Sequence, residues 1–246
     1  MHEARSWWRA SLKMRMASES RPMTDDEIYR EIFDAIVEGR LAPGAKLGQD
    51  DLGRVFGVSK TRIRPILYRL TDQKIVVIEP MRGAFVARPS IEEARAVNAA
   101  RQIVEEGVIR AVTRKVQPRQ LKILREIVAE EKRARGHGDN GRAHRLTGEF
   151  HRELARLTGN EVMVDLVSEL VTRDSLVVSL YQRPAYAGCS LDGHGVLIDR
   201  IAAGDEDAAA RAMRHHLQAV MDSLDLGDDR RKTQSLAAAF AHLHRA

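Results

Sequence analysis

The feature that most constrains this chain is a pair of short amphipathic segments three residues apart, followed at once by two strand-like runs. Gln49 to Phe56 turns Leu52, Val55 and Phe56 to one side, and Lys60 to Asp72 does the same with Ile63, Ile66, Leu67 and Leu70. Between them lies Gly57-Val58-Ser59, a turn whose glycine ends one helix and whose serine starts the next. Upstream, Thr24-Asp25-Asp26-Glu27 reads as a capping box opening a helix that carries Ile28, Ile32, Ala35 and Ile36 to Gly39. Leu41 to Leu47 reads as a turn. Downstream, Ile75 to Ile78 and Ala84 to Ala87 flank the turn Glu79-Pro80-Met81-Arg82-Gly83. Helix, helix, turn, helix, hairpin is the succession of a winged helix-turn-helix.

After Pro89-Ser90 the period changes for good. Helices are predicted near 91–115, 118–135, 141–158, 161–180, 192–203 and 206–225, an all-α antiparallel bundle. The expected fold is thus mainly α. Residues 1–22 form a poorly ordered extension, 23–89 the winged helix-turn-helix, 90–226 the helical domain, and 227–246 a tail or peripheral helix. Two cores are affordable in 246 residues.

Charge points to where a polyanion would bind. From Arg54 to Arg88 eight Lys/Arg face only Asp72 and Glu79, a net of +6, whereas the whole chain carries +5. The helix after the turn begins with Ser59, Lys60, Thr61, Arg62 and Arg64, at the end that reaches base edges in a major groove. Arg82 and Gly83 stand at the wing tip. A basic surface helix without a partner carries similar clusters, but here the cluster lies on the helix that topology makes the reader. Pro65 removes one N–H and crowds the Thr61 carbonyl, a cost of roughly 3 kcal/mol in a helix interior, so a slight kink is expected there. Aromatics make up 4% of the chain, too few for stacking platforms on single strands.

The run Leu52-Gly-Arg-Val-Phe-Gly-Val-Ser-Lys-Thr-Arg-Ile-Arg-Pro-Ile-Leu67, with Arg82-Gly-Ala-Phe-Val86 after it, resembles the GntR family of bacterial regulators. That resemblance implies DNA contacts at Ser59, Lys60, Arg62, Arg64 and Gly83. Asp50 stands where the family often has Arg, and Pro65 where it has Glu.

Three histidines, His151, His194 and His216, fall on three different predicted helices and could converge on a divalent ion. No pair has HExxH spacing, so spacing alone favours ordinary buried or surface histidines over a metal site. The second half resembles the FadR-type FCD effector domain over about 91–226. The motifs are Arg101-x-x-Val104-Glu105, Phe150-His151, Gly159-Asn160, His194-x-x-Leu197 and Met213-x-x-His216-Leu217. The resemblance implies a metal held by one Asp and three His, with zinc first and nickel or manganese as alternatives. Thr147 occupies the Asp position. His144 lies two turns before His151, roughly 10 Å along the axis and too far to share an ion.

For an effector, Arg101 is the leading candidate. It sits among Val97, Ile103, Val104 and Val108, and pairs either with a ligand carboxylate or with Glu105 four residues on. Arg173 and Tyr181 are further candidates. The implied protein is not an enzyme but a homodimeric regulator, a repressor by preference, that binds double-stranded operator DNA under control of a small carboxylate. Metal-free structural histidines, a metal-dependent hydrolase and a non-specific DNA-coating protein are the competing readings. One cysteine (Cys189) and no apolar run of bilayer length point to a cytoplasmic protein with no membrane partner.

Overall fold

The structure, a computed structural model, describes residues 22–182, 193–226 and 236–244. The expected extension over 1–22 therefore lies, but for its last residue, outside the described residues. So do 227–235 of the expected tail and residues 183–192, Cys189 among them.

The amino-terminal head is built as its sequence pattern dictates. Helix α1 (Asp25–Val37) opens on Thr24, whose hydroxyl accepts from the Glu27 N–H while Glu27 Oε2 accepts from the Thr24 N–H at 2.7 Å. Strand β1 (Lys46–Leu47) lies inside the segment expected to be only a turn. Two residues suffice because they pair antiparallel with β3, which no local pattern announces. Helices α2 (Gln49–Phe56) and α3 (Lys60–Asp72) follow. They cross tightly because Gly53 has no side chain: a Cβ there would lie 2.7 Å from the Val58 carbonyl oxygen. Ser59 is the N-cap of α3 by position, yet its hydroxyl bonds to Thr61 Oγ1 at 2.7 Å instead of capping. Helix α3 runs unbroken through Pro65. Strands β2 (Val76–Glu79) and β3 (Gly83–Val86) make the wing, in a sheet of order β1-β3-β2.

The bundle begins with α4 (Ile91–Thr113), capped by Ser90. It continues through α5 (Pro118–Gly136), α6 (Asn140–Leu157), α7 (Glu161–Tyr181), α8 (Gly193–Ala202) and α9 (Glu206–Asp222). Apolar faces of all six meet in one core that includes Ile109, Leu124, Phe150, Leu154, Leu197 and Met213. Ile103, expected on the apolar face of α4, points to solvent at 77% exposure, because two residues from Arg101 is more than half a turn.

Head and bundle touch. Leu176 of α7 enters the core of the head. Tyr181 donates its hydroxyl to the Pro89 carbonyl at 2.9 Å, tying α7 to the connecting segment. The last described helix, α10 (Leu236–Ala239), and the 3-10 turn after it (Ala241–His244) do more than lie on the periphery. Phe240 is wholly buried in the head, edge-on to Phe56 with ring centroids 5.1 Å apart, and Arg40 donates to the Ala239 carbonyl.

Candidate nucleic-acid interface and metal centre

On the head, Ser59, Lys60, Thr61 and Arg64 are exposed along the first turns of α3, and Arg82 and Gly83 are exposed at the wing tip. Ile63, Ile66 and Leu67 anchor α3 from beneath. Arg64 lies over the Tyr68 ring at 5.8 Å and has no carboxylate partner among the described residues. Arg62 behaves differently. Its Nε and Nη2 donate to Asp25 Oδ1 at 2.8 and 2.6 Å, and Nη2 also donates to the Met23 carbonyl, so it fastens α3 to the start of α1. Lys60 faces Asp50 at 3.8 Å, an exposed and weak pair. Arg82 pairs with Glu79 and covers Phe85.

In the bundle, His151 comes from α6, His194 from α8 and His216 from α9. All three are buried. His151 Nε2 lies 3.3 Å from His194 Nε2 and 3.4 Å from His216 Nε2. Phe150 stacks on His194 at 4.2 Å and forms the floor. At the start of α8, a Cβ on Gly193 would lie 2.5 Å from His216 Nδ1, so the approach of α8 to α9 depends on that glycine.

Carboxylates on other helices orient two of the rings. Glu105 Oε2 accepts from His151 Nδ1 at 2.5 Å, and Glu131 Oε2 from His194 Nδ1 at 2.8 Å. With the proton held at Nδ1, each Nε2 turns a lone pair to the common centre. Two lone pairs 3.3 Å apart repel unless a cation lies between them. Four ligands about 2.1 Å from a tetrahedral ion stand about 3.4 Å from one another, which the two separations from His151 match. The donor set therefore fits a divalent ion such as zinc.

Burial keeps His151 and His216 neutral. It lowers His151 to about 4, only partly opposed by Glu105, and holds His216 well below its ordinary value. Burial alone would raise Glu105, but Arg101 and His151 outweigh it and hold the carboxyl at about 2. Glu131 is likewise held at about 2, where the bonds from His194, Arg135 and Thr147 overcome burial.

Thr147, at the expected Asp position, does not face the nitrogens. Its hydroxyl bonds to Glu131 Oε1 at 2.8 Å and the Ala143 carbonyl at 3.1 Å, while Arg135 donates to it. It holds the acid that holds His194. Glu131 escaped the sequence reading, although it is an acid on the same face as Leu124, Val128 and Ala134, an unusual place for one.

Arg101, 3% exposed, makes the expected bond to Glu105 at 2.7 Å and a second to Asp174 at 2.6 Å. It also lines a cavity of about 700 Å³ that opens beside His151 and His216. Arg173 and Tyr181 are not brought there. Arg173 bonds to Glu93 and Glu169 and lines a separate cleft of about 540 Å³ beside Lys74, Val76 and Pro89. Tyr181 is committed to Pro89.

Comparison with known proteins agrees with both halves. The sequence matches the family described as bacterial regulatory proteins, gntR family, over residues 24–86, and the FCD domain over residues 96–219. A helix-turn-helix transcriptional regulator in an unstable DNA locus of Streptomyces ambofaciens is 29% identical over 203 residues, 81% of this chain and 84% of that protein. The transcriptional repressor RspR of Escherichia coli K12 is 24% identical over 201 residues, 81% of this chain and 88% of that one. Among solved structures, E. coli McbR/YncC superposes with a TM-score of 0.71 at 17% identity, over 81% of this chain and 97% of its own. A GntR-type regulator from Rhodococcus sp. RHA1 also reaches 0.71, at 22% identity, over 82% of this chain and 99% of its own. These two likenesses show the fold. With a helix-turn-helix over residues 24–86 and a histidine-bearing helical domain over 96–219, the chain belongs to the GntR family of bacterial transcriptional regulators, in the branch that carries an FCD domain.

Proposed function

We propose that this regulator is a homodimeric, sequence-specific repressor whose FCD bundle holds one divalent ion, zinc first, on His151, His194 and His216, and releases DNA when a carboxylate binds beside it. The observation that carries the reading is the convergence of three Nε2 atoms, with Glu105 and Glu131 holding Nδ1 of two rings. Such an ion supplies a positive centre for an anionic oxygen. Charge supports one carboxylate. Glu105, Glu131 and Asp174 carry three negative charges against Arg101 and Arg135, a deficit of one. A dication turns that into a surplus of one, which a single carboxylate neutralises. Arg101 belongs to this balance more than to direct capture, since two carboxylates already claim it.

On the head, Ser59, Lys60, Thr61 and Arg64 read the groove, with Arg82 and Gly83 at the flanking backbone. Arg62 contributes by holding α3 against α1. A two-fold dimer reads a two-fold site, and the effector acts through its different affinity for the DNA-bound and free arrangements of the heads.

The test pairs two measurements. Elemental analysis of the purified chain is expected to give one ion per chain, lost in His216→Ala. At fixed near-physiological salt, binding to its own upstream intergenic DNA is expected to exceed binding to scrambled DNA by roughly 10³-fold, and to weaken when acetate, hexanoate or D-gluconate is added. Equal binding to both DNAs overturns the regulator reading of the head. No bound metal overturns that of the bundle.

A further inference from the structure

The cavity beside the histidines is a channel that ends on the DNA-binding head. One face of α6 lines it in steps, from His151 through Thr147 and His144 to Gly141. The ten steps from Gly141 to His151 rise about 15 Å, several times the length of an acetate. Val37, Glu38 and Gly39, the end of α1 and the turn after it, line it on the side of the head. There the two parts touch closely. A Cβ on Gly141 would lie 3.1 Å from Glu38 Cβ, and Arg145 of α6 pairs with Glu38 at 3.2 Å. Midway stands His144, whose Nε2 is buried and has no hydrogen-bond partner among the described residues. Burial lowers its pKa, so it is neutral, a donor or an acceptor but not a cation. A buried polar atom left unpaired costs about 1–3 kcal/mol, and buried polar groups usually have partners. Beside Val178 and Val220, the walls add Ser179, Gln182 and Asn140, neutral groups that pair with hydroxyls or amides.

We propose that the channel has a distal subsite, centred on His144 and lined by Glu38 and Gly39 of the head, that takes the hydroxylated or amide-bearing end of the same carboxylate whose acid group lies at the histidines. The inference rests on the reading of the histidine site given above. A ligand of this kind touches the head directly, so its occupancy bears on the angle between head and bundle without any relay through the helices. Specificity follows from the same contact: a short acid fills the near end only, and an alkyl acid leaves His144 unpaired.

The experiment uses the full chain loaded with zinc and four probes: acetate, hexanoate, D-gluconate and D-glucuronate. The expected result is at least tenfold tighter binding of one of the two hydroxylated acids than of acetate or hexanoate, by calorimetry. His144→Ala removes that advantage and leaves acetate unchanged, while His144→Gln, which keeps a hydrogen-bonding group, restores part of it. Hydrogen exchange of residues 37–41 slows with the preferred acid and not with acetate. The proposal is overturned if neither hydroxylated acid outbinds hexanoate, if the preference survives His144→Ala, or if exchange at 37–41 does not respond. Failure of the underlying reading looks different: zinc is absent and acetate does not bind even to the unaltered chain. In that case the same preference, read on the metal-free chain, still decides the distal subsite.

Discussion

At the scale of single residues, the site is governed by what each charged group does when it cannot reach water. Arg101 is sealed between Glu105 and Asp174. Replacing it with Met strands two buried carboxylates, and a loss of about 3–5 kcal/mol in urea-unfolding stability is expected. A loss under 1 kcal/mol would instead mean that the guanidinium is held in reserve for a ligand. Gly193 gives a sharper test, because it touches no ion. Its Cβ would meet His216 Nδ1 at 2.5 Å, so Gly193→Ala displaces the ring through sterics alone. Zinc affinity is expected to fall by about 10–100-fold, the range typical of lost support for a ligand, with all three histidines intact. Unchanged affinity in a competitive chelator titration would show that the ring can move aside. Arg62, expected from the sequence to contact DNA, bonds within the fold to Asp25.

At the scale of elements, the histidine cluster depends on α4, α5, α6, α8 and α9 holding their mutual register, and pH loosens it. His151 titrates near 4 in the fold against 6.5 ordinarily, so the unfolded chain takes up its proton first as pH falls. Its contribution is complete above 6.5 and declines from there toward 4. Glu105 and Glu131, held at about 2 against 4.5, extend the loss below 4.5. The thermal midpoint is therefore expected to drop continuously from pH 7 to pH 4, and a flat profile to pH 5 would contradict burial of neutral rings. The tail is an element with a separate role. Phe240 completes the core of the head beside Phe56. Phe240→Ala is expected to cost the head about 3 kcal/mol, the low end for a buried phenylalanine because the tail can undock. Truncation after residue 226 should cost the same and no more, read by unfolding of the head. An unaffected head would make the tail a passenger.

At the scale of the whole molecule, head and bundle are joined by four features. They are the Pro89 connection pinned by Tyr181, Leu176 inserted in the core of the head, the Glu38 junction with α6, and the returning tail. The cavity lies against the third of these. In the proposed dimer, a ligand that changes the junction would change where α3 points and with it the spacing of the two proposed reading helices.

The winged helix-turn-helix, the succession of six bundle helices to within three residues at each end, and membership of the family were legible in the sequence. Each rests on local rules: amphipathic period, capping boxes such as Thr24 with Glu27, and the turn at Gly57. The three histidines were legible as candidates because residue type and family order single them out. Only the tertiary structure decided what lies around them. Glu131, far from His194 in the chain, could not be matched to it by any spacing, and the role of Thr147 follows from that acid. That Arg173 and Tyr181 lie away from the histidine cavity was likewise not legible, because a residue's position on a helix face does not say which end of the molecule that face meets. Strand β1, the docking of Phe240 and the channel that ends on the head all come from contacts between distant segments. Sequence determines local preference through neighbours within a few residues. Which distant surfaces share their buried groups is settled only when the whole chain packs.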